Sequence, residues 1–143
     1  MGKITFSNIE GYYIPHEDFI DYRNKGLLQL GVVNDFAAKA AISKYPALKP
    51  KGTACAAFTF WSWVALGVLC ASIYFSFTRN WWWFIVGIFA VVLIHKSNKK
   101  GNAENFLDAA IDDPSFYNNI QSINGWVYQT EEQHLNEFAK YKK

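Results

Sequence analysis

The chain has 143 residues, 51% of them apolar and 18% aromatic, and its 14 Lys and Arg against 12 Asp and Glu leave a net charge of only +2. So small a basic excess gives no case for nucleic acid as a partner. The length is that of one domain.

The N-terminal arm covers residues 1–53. Ile4-Thr5-Phe6 and Tyr12-Tyr13-Ile14 flank Ser7–Gly11, which is the pattern of a short hairpin or of an irregular arm. Phe6 stands where the myristoylation pattern needs Ser or Thr, and the arm has no apolar h-region, so neither a lipid anchor nor a cleavable signal is expected here. Pro15 punctuates the chain, and His16-Glu17-Asp18 places acid at a helix start. Phe19, Tyr22, Gly26, Leu30, Val33, Ala37 and Ala41 follow helical spacing, with Gly26 and Gly31 weakening that helix where it would break in two. Tyr45-Pro46 ends it, and Pro46–Gly52 is a short linker.

Two apolar segments follow, Ala54–Phe77 and Trp81–Ile94, separated only by Thr78, Arg79 and Asn80. Arg79 is the one Asp, Glu, Lys, Arg or His between Lys51 and His95. Crossing about 30 Å of hydrocarbon takes about 20 apolar residues. The first segment is long enough; the second, with 14 residues, is short. Trp81, Trp82 and Trp83 suit a membrane interface, and Lys96, Lys99 and Lys100 suit snorkelling at the other end. The expected architecture is therefore an all-α membrane protein, a two-helix transmembrane hairpin (54–77 and 81–95, turn 78–80). One span with an interfacial second helix, and a soluble helical core, are the alternatives.

Lys44, Lys49 and Lys51 before the first segment and Lys96, Lys99 and Lys100 after the second place both tails in the cytoplasm by the positive-inside rule. These lysines and the three tryptophans are the expected membrane-interface residues, with anionic lipids as candidate contacts. Compactness alone inclines the reading to a bacterial inner membrane. Ser62, Ala65, Leu69, Ser72 and Ser76 recur at steps of three and four, as do Trp83, Gly87, Ala90 and Ile94. Laid antiparallel, the two stripes form a candidate helix-packing seam, with Ser72 opposite Gly87. Gly67 and Ala71 make a rival small-residue face for a second copy or a partner. Cys55 and Cys70 lie about 22 Å apart along one helix and cannot bridge each other there.

In the C-terminal arm, residues 96–143, the second apolar helix is expected to run on to Gly101, followed by a short helix over Ala103–Ile111. Asp113-Pro114 is an N-cap followed by proline at the first helical position, and Asn124-Gly125 is a stop. Thr130 with Gln133 resembles a capping box opening a last helix through Lys140. Neither arm is long enough for a secure core of its own. They are expected to fold together into one small helical cytoplasmic domain, or onto a partner. Tyr12, Tyr13, Phe116, Tyr117, Trp126 and Tyr128 are the candidate partner surface, with burial in that domain as the competing reading.

Chemistry is thinly represented. Glu131–His134 is a single Glu-x-x-His unit where a four-helix di-iron site needs two. His16-Glu17-Asp18 are neighbours in sequence and diverge on a helix. No catalytic residue, metal or cofactor is assigned. The expected function is that of an anchor, accessory or regulatory subunit of a larger membrane complex. The alternative is a self-assembling channel, lined by Thr59, Ser62, Ser72 or Ser76, or an immunity factor against one.

Overall fold

The computed structural model describes residues 6–9 and 11–142. Its elements in chain order are β1 (Phe6–Ile9), α1 (His16–Asn24), β2 (Leu28–Val32), α2 (Asn34–Ile42), α3 (Ala54–Thr78), α4 (Trp83–Asp112), α5 (Pro114–Ser122), β3 (Trp126–Glu131) and α6 (Leu135–Phe138), with short 3-10 turns at Pro46–Leu48, Glu132–His134 and Ala139–Tyr141. The protein is mostly helical, but the expectation of an all-α fold is corrected by a three-stranded antiparallel sheet of order β1-β3-β2.

β3 is the centre of that sheet. It pairs Phe6 with Glu131 and Ile9 with Tyr128 on one side, and Leu28 with Thr130 and Val32 with Trp126 on the other. Its residues alternate strictly: Trp126, Tyr128 and Thr130 are buried, while Val127, Gln129 and Glu131 are partly exposed. That period of two is the signature of a half-buried strand. Thr130 is therefore no helix cap; its hydroxyl is buried in the sheet and donates to the Leu27 carbonyl at 2.7 Å. The expected last helix is reduced to α6 between two 3-10 turns. Gly26, at φ 73°, closes the turn after α1 and releases the chain into β2, where a continuous helical spacing had been expected.

Tyr12 and Tyr13 do not return against β1. Tyr12 forms a bridge with Lys142, and the Tyr13 amide donates to the Tyr141 carbonyl at 2.8 Å. Residues 1–5, on which the hairpin and acylation readings drew, lie outside the described residues.

One core is built from both arms. Ile14, Phe19, Leu28 and the alanine face of α2 (Ala37, Ala40, Ala41) come from the N-terminal side. Phe106, Ala110, Phe116, Tyr117, Ile120, Trp126, Tyr128 and Phe138 come from the C-terminal side. The Tyr117 ring is stacked between Phe19 and Trp126, at centroid distances of 5.2 and 5.9 Å. Its hydroxyl donates to the Ile14 carbonyl at 2.9 Å, so the Tyr128 hydroxyl, 2.7 Å away, donates to Tyr117. Gln121 Nε2 donates in turn to Tyr128, at 2.8 Å, and to Ile14. This chain of buried hydrogen bonds fastens the two arms at a point where an unmade bond would be costly.

The expected partner surface is largely taken up by this core. Phe116, Tyr117, Trp126 and Tyr128 are at most 6% exposed. Aromatics read from sequence as contact residues are the packing between the arms, and of that set only Tyr12 and Tyr13 reach the surface.

Burial pushes the Tyr128 hydroxyl up from its ordinary 10.0 to about 12, and pushes Tyr117 up further. Stability from keeping the Tyr128 phenol neutral is complete below pH 10 and is lost as pH rises through about 12. We expect Tyr128→Phe to cost about 1–3 kcal/mol at neutral pH, because it leaves buried partners unsatisfied. The variant should also show a shallower loss of stability on raising the pH from 10.0 to about 12. Denaturant unfolding followed by tryptophan fluorescence checks both.

Candidate functional site

α3 and α4 form an antiparallel pair joined by a tight turn that contains Arg79 and Asn80. At about 1.5 Å per residue they are about 37 and 45 Å long. α4 does not break at Gly101 as expected; it runs unbroken from the apolar pair into the domain, where Asn102, Ala103, Phe106 and Ala110 are buried. No structural boundary falls at residue 95.

Between the two helices the structure brings Ser72 against Gly87, and a Cβ at position 87 would overlap the Ser72 side chain. Ala65 is also buried, and Ser62, Leu69, Ser76, Ala90 and Ile94 are half-buried along the same interface, whereas Trp83 stays exposed. Ser72 satisfies its own hydroxyl on the Leu69 carbonyl at 2.8 Å. Nearer the domain, Asn98 Nδ2 donates to the Phe58 carbonyl at 2.9 Å and to Ser62 Oγ at 3.3 Å. These contacts fix the register of the pair. Gly67 and Cys70 face outward.

Away from this seam the pair is covered in large exposed apolar side chains. Phe77 is 88% exposed, Trp63 67% and Phe89 66%, with Trp61, Leu66, Tyr74, Ile85 and Leu93 among the others. The Cys55–Thr78 stretch is long and apolar enough, by length and composition, to cross a membrane.

The lysines flanking the pair divide into two groups. Lys51 pairs with Asp113 at 2.7 Å, Lys99 with Asp35 at 2.6 Å and Lys100 with Glu104 at 3.8 Å. Among the described residues, Lys44, Lys49 and Lys96 have no such partner. Asp113 also caps α5, accepting from the Ser115 and Phe116 amides. The Lys51 hydrogen bond and these amides hold its carboxyl below the usual range despite some desolvation. In the same way Lys99 lowers Asp35.

Where the pair meets the domain lies a cleft of about 570 Å³, lined by Ala57, Phe58, Trp61, Leu93, Ile94, Ser97, Asn98, Gly101, Asn102 and Asn105. Its α4 wall is one helical stripe, spaced by three and four from Ile94 through Asn98 and Gly101 to Asn105. Ala57 and Gly101 leave the space open, and a Cβ at 101 would meet nothing within 4 Å. Behind it, on the stripe of α4 that also carries the buried Phe106 and Ala110, Asn102 is 2% exposed, and neither its Nδ2 nor its Oδ1 has a hydrogen-bond partner. An unpaired buried amide costs about 1–3 kcal/mol. This polar stripe is visible in the sequence as Ser97-Asn98 followed by Gly101-Asn102 and Asn105, and it was missed because the helix was expected to end at Gly101.

A second groove, of about 620 Å³, lies between α1, β2 and α4 and mixes Arg23, Glu104 and Asp108 with Phe19 and Leu107. It holds no unpartnered buried group among the described residues. No cluster of three His, Cys, Asp or Glu side chains able to hold a metal occurs among the described residues. His16 contacts the Ala110 carbonyl through Nε2, while Asp18 accepts from the Tyr141 hydroxyl, so the His16-Glu17-Asp18 run diverges. His134 turns to Glu137.

No family model, curated protein or solved structure matches this chain.

Because the overlap at position 87 involves Ser72 Cβ and Oγ, with Ser72 Cα at 3.5 Å, we expect Gly87→Ala to destabilise the helical pair by about 1–3 kcal/mol. Ser72→Gly in the same chain should restore most of the loss. Thermal unfolding of the two single variants and the double variant in one detergent measures this as a mutant cycle; additive losses would disprove the contact.

Proposed function

We propose that the protein is a small membrane anchor that carries its mostly helical domain, with its antiparallel sheet, on one membrane face. There it would act without catalysis of its own, as an accessory or regulatory subunit of a larger membrane complex. The observation that carries this reading is the apolar belt on α3 and α4, combined with the closure of both arms into one sheet. An exposed apolar surface of this extent marks a membrane or a binding interface. A soluble core helix would be mostly buried, whereas only 17% of the most apolar window of α3 is.

The sheet supplies the step from one helix to two. Chain before the pair (β1, β2) and chain after it (β3) share the same hydrogen bonds. A single crossing would put them on opposite sides, so if α3 crosses, α4 returns. The register makes this feasible for the shorter apolar half of α4. Asn98 lies level with Ser62, and from Ser62 to Thr78 is about 24 Å of helix. Lys96 at one end and Trp81, Trp82, Trp83 and Arg79 at the other extend the span by snorkelling and interfacial anchoring, with modest thinning of the bilayer. The lysines at the domain end of the pair support a cytoplasmic position for both arms, and a bacterial inner membrane is the proposed location. Ion pairing of Lys51, Lys99 and Lys100 leaves that orientation intact, because the rule counts Lys and Arg rather than net charge.

The channel reading is weakened by the hydroxyls it would use. Those of Thr59, Ser62 and Ser72 bond to carbonyls of their own helix, and Ser72 lies inside the seam. The outward Gly67/Ala71 face favours a second reading, in which the pair is covered by another copy of the chain.

Cys70, in a chain with Cys55→Ala, tests the membrane reading itself. It is exposed on α3 near the middle of the proposed span. In intact membranes we expect it to resist a polar, membrane-impermeant maleimide and to react fully after denaturation, with the protein retained in the pellet after carbonate extraction. Release by carbonate with rapid labelling would overturn the membrane reading. Purification from native membranes in mild detergent then tests the subunit role: a stoichiometric partner supports it, and a bare homo-oligomer with ion flux in liposomes supports the channel.

A further inference from the structure

We infer that the open edge of β2 and the wall of α4 that faces it dock an extended, net-basic segment of a partner protein, which joins the sheet as a fourth strand. The inference names the docking surface of the accessory-subunit reading above and rests on it.

The groove between α1, β2 and α4 runs along a strand edge. Successive side chains of a strand point to opposite faces of its sheet, yet Leu28, Gln29 and Leu30 all line this groove. A single cavity reaches all three only from the edge. β3 occupies the other edge of β2, and no backbone group of residues 28–32 bonds outside the sheet among the described residues. Alternate amides and carbonyls of the five-residue strand are therefore free to pair, over about 16 Å. β2 carries neither the charge nor the proline that commonly guards such an edge. The cavity, about 620 Å³, is of ligand-binding size.

Charge selects the occupant. Glu104, Leu107, Asp108 and Ile111, at steps of three and four, form the α4 wall. Glu104, Asp108 and Asp112 make an exposed acidic row at intervals of four, and like charges at that spacing repel. The row runs to the C-terminus of α4, where the helix dipole also disfavours carboxylates and where the last turn has no basic residue. Lys100 meets only the first of the three, at 3.8 Å. Asp108 and Asp112 have no ion-pair partner among the described residues. Arg23, on the α1 wall, is the one positive charge lining the groove. Lysine or arginine side chains of an incoming strand would neutralise the acidic row, while its apolar residues cover Leu107 and Ile111. A second copy of the chain is the poorer occupant, because it would bring one acidic row against another.

Asp108→Lys separates docking from stability. The new side chain suits the helix dipole and can pair with Glu104 and Asp112, so the melting temperature is expected to stay level or rise. The full chain in detergent is panned against a display library of random peptides about ten residues long, enough to span β2. Enriched peptides are expected to carry lysine or arginine among apolar residues and to slow amide exchange in residues 28–32 about tenfold. Asp108→Lys should weaken them about tenfold or more. Methylating alternate peptide amides should abolish binding at one set of positions and spare it at the other, because a strand presents every second residue to its neighbour. No enriched peptide, or peptides that are indifferent to Asp108→Lys and leave exchange of β2 unchanged, would overturn the inference. So would a dimer of the chain formed through β2. A native partner that copurifies equally with the wild-type chain and with Asp108→Lys would overturn it while leaving the subunit reading intact. Absence of any native partner, together with no enriched peptide, would overturn both.

Discussion

The backbone pairing of β3 with both β1 and β2 is the constraint on which the rest of the structure depends. The strands flanking β3 come from the other end of the chain. Their closure on it turns residues 33–125 into an excursion that must leave the domain and return to it. The α3–α4 pair is the long arm of that excursion. Whatever environment one helix enters, the other leaves. The same closure explains why α4 is continuous: its apolar half belongs to the pair, and its second half supplies Phe106 and Ala110 to the core.

The buried chain from Gln121 through Tyr128 and Tyr117 to the Ile14 carbonyl reinforces this closure with side chains. It lies at the meeting point of α5, β3 and the segment before α1. The ion pair of Lys51 with Asp113 and that of Lys99 with Asp35 do the same nearer the helical pair. They join the linker to the α5 cap and α2 to α4. A domain held at so many points gives the pair a fixed base, and the cleft forms at that base because Ala57 and Gly101 are too small to fill it.

Much of the helical framework is legible from sequence because its signals are local. Asp113-Pro114 starts α5 through cap bonds, and the chain turns at Asn124, with φ 52°, where a stop was expected. The long apolar helix and the tight turn after it follow from composition. The sheet is not legible in the same way. Its strands have four to six residues, and each finds its partner about 100 residues away. The alternation in Trp126–Glu131 was available as a signal, but Thr130 and Gln133 imitate a helix start. The same non-local packing hides the fate of the aromatics: Phe116, Tyr117 and Trp126 look like a contact surface until Phe106 of α4, Phe19 of α1 and strand β2 are known to pack against them. The cleft was obscured by Gly101, which reads as a helix end and is accommodated in mid-helix.

The most direct test of the account is which side of the membrane the α3–α4 turn and the domain occupy. Asn80→Cys and Asn119→Cys can be placed singly in a chain whose two native cysteines are replaced by alanine. Each is then exposed to an impermeant thiol reagent, first in right-side-out and then in inverted membrane vesicles. The account predicts opposite behaviour, with position 80 labelled only from outside and position 119 only from the cytoplasmic face. Labelling of both positions from the same side would contradict it, because the helical pair would then lie along or outside the membrane rather than across it.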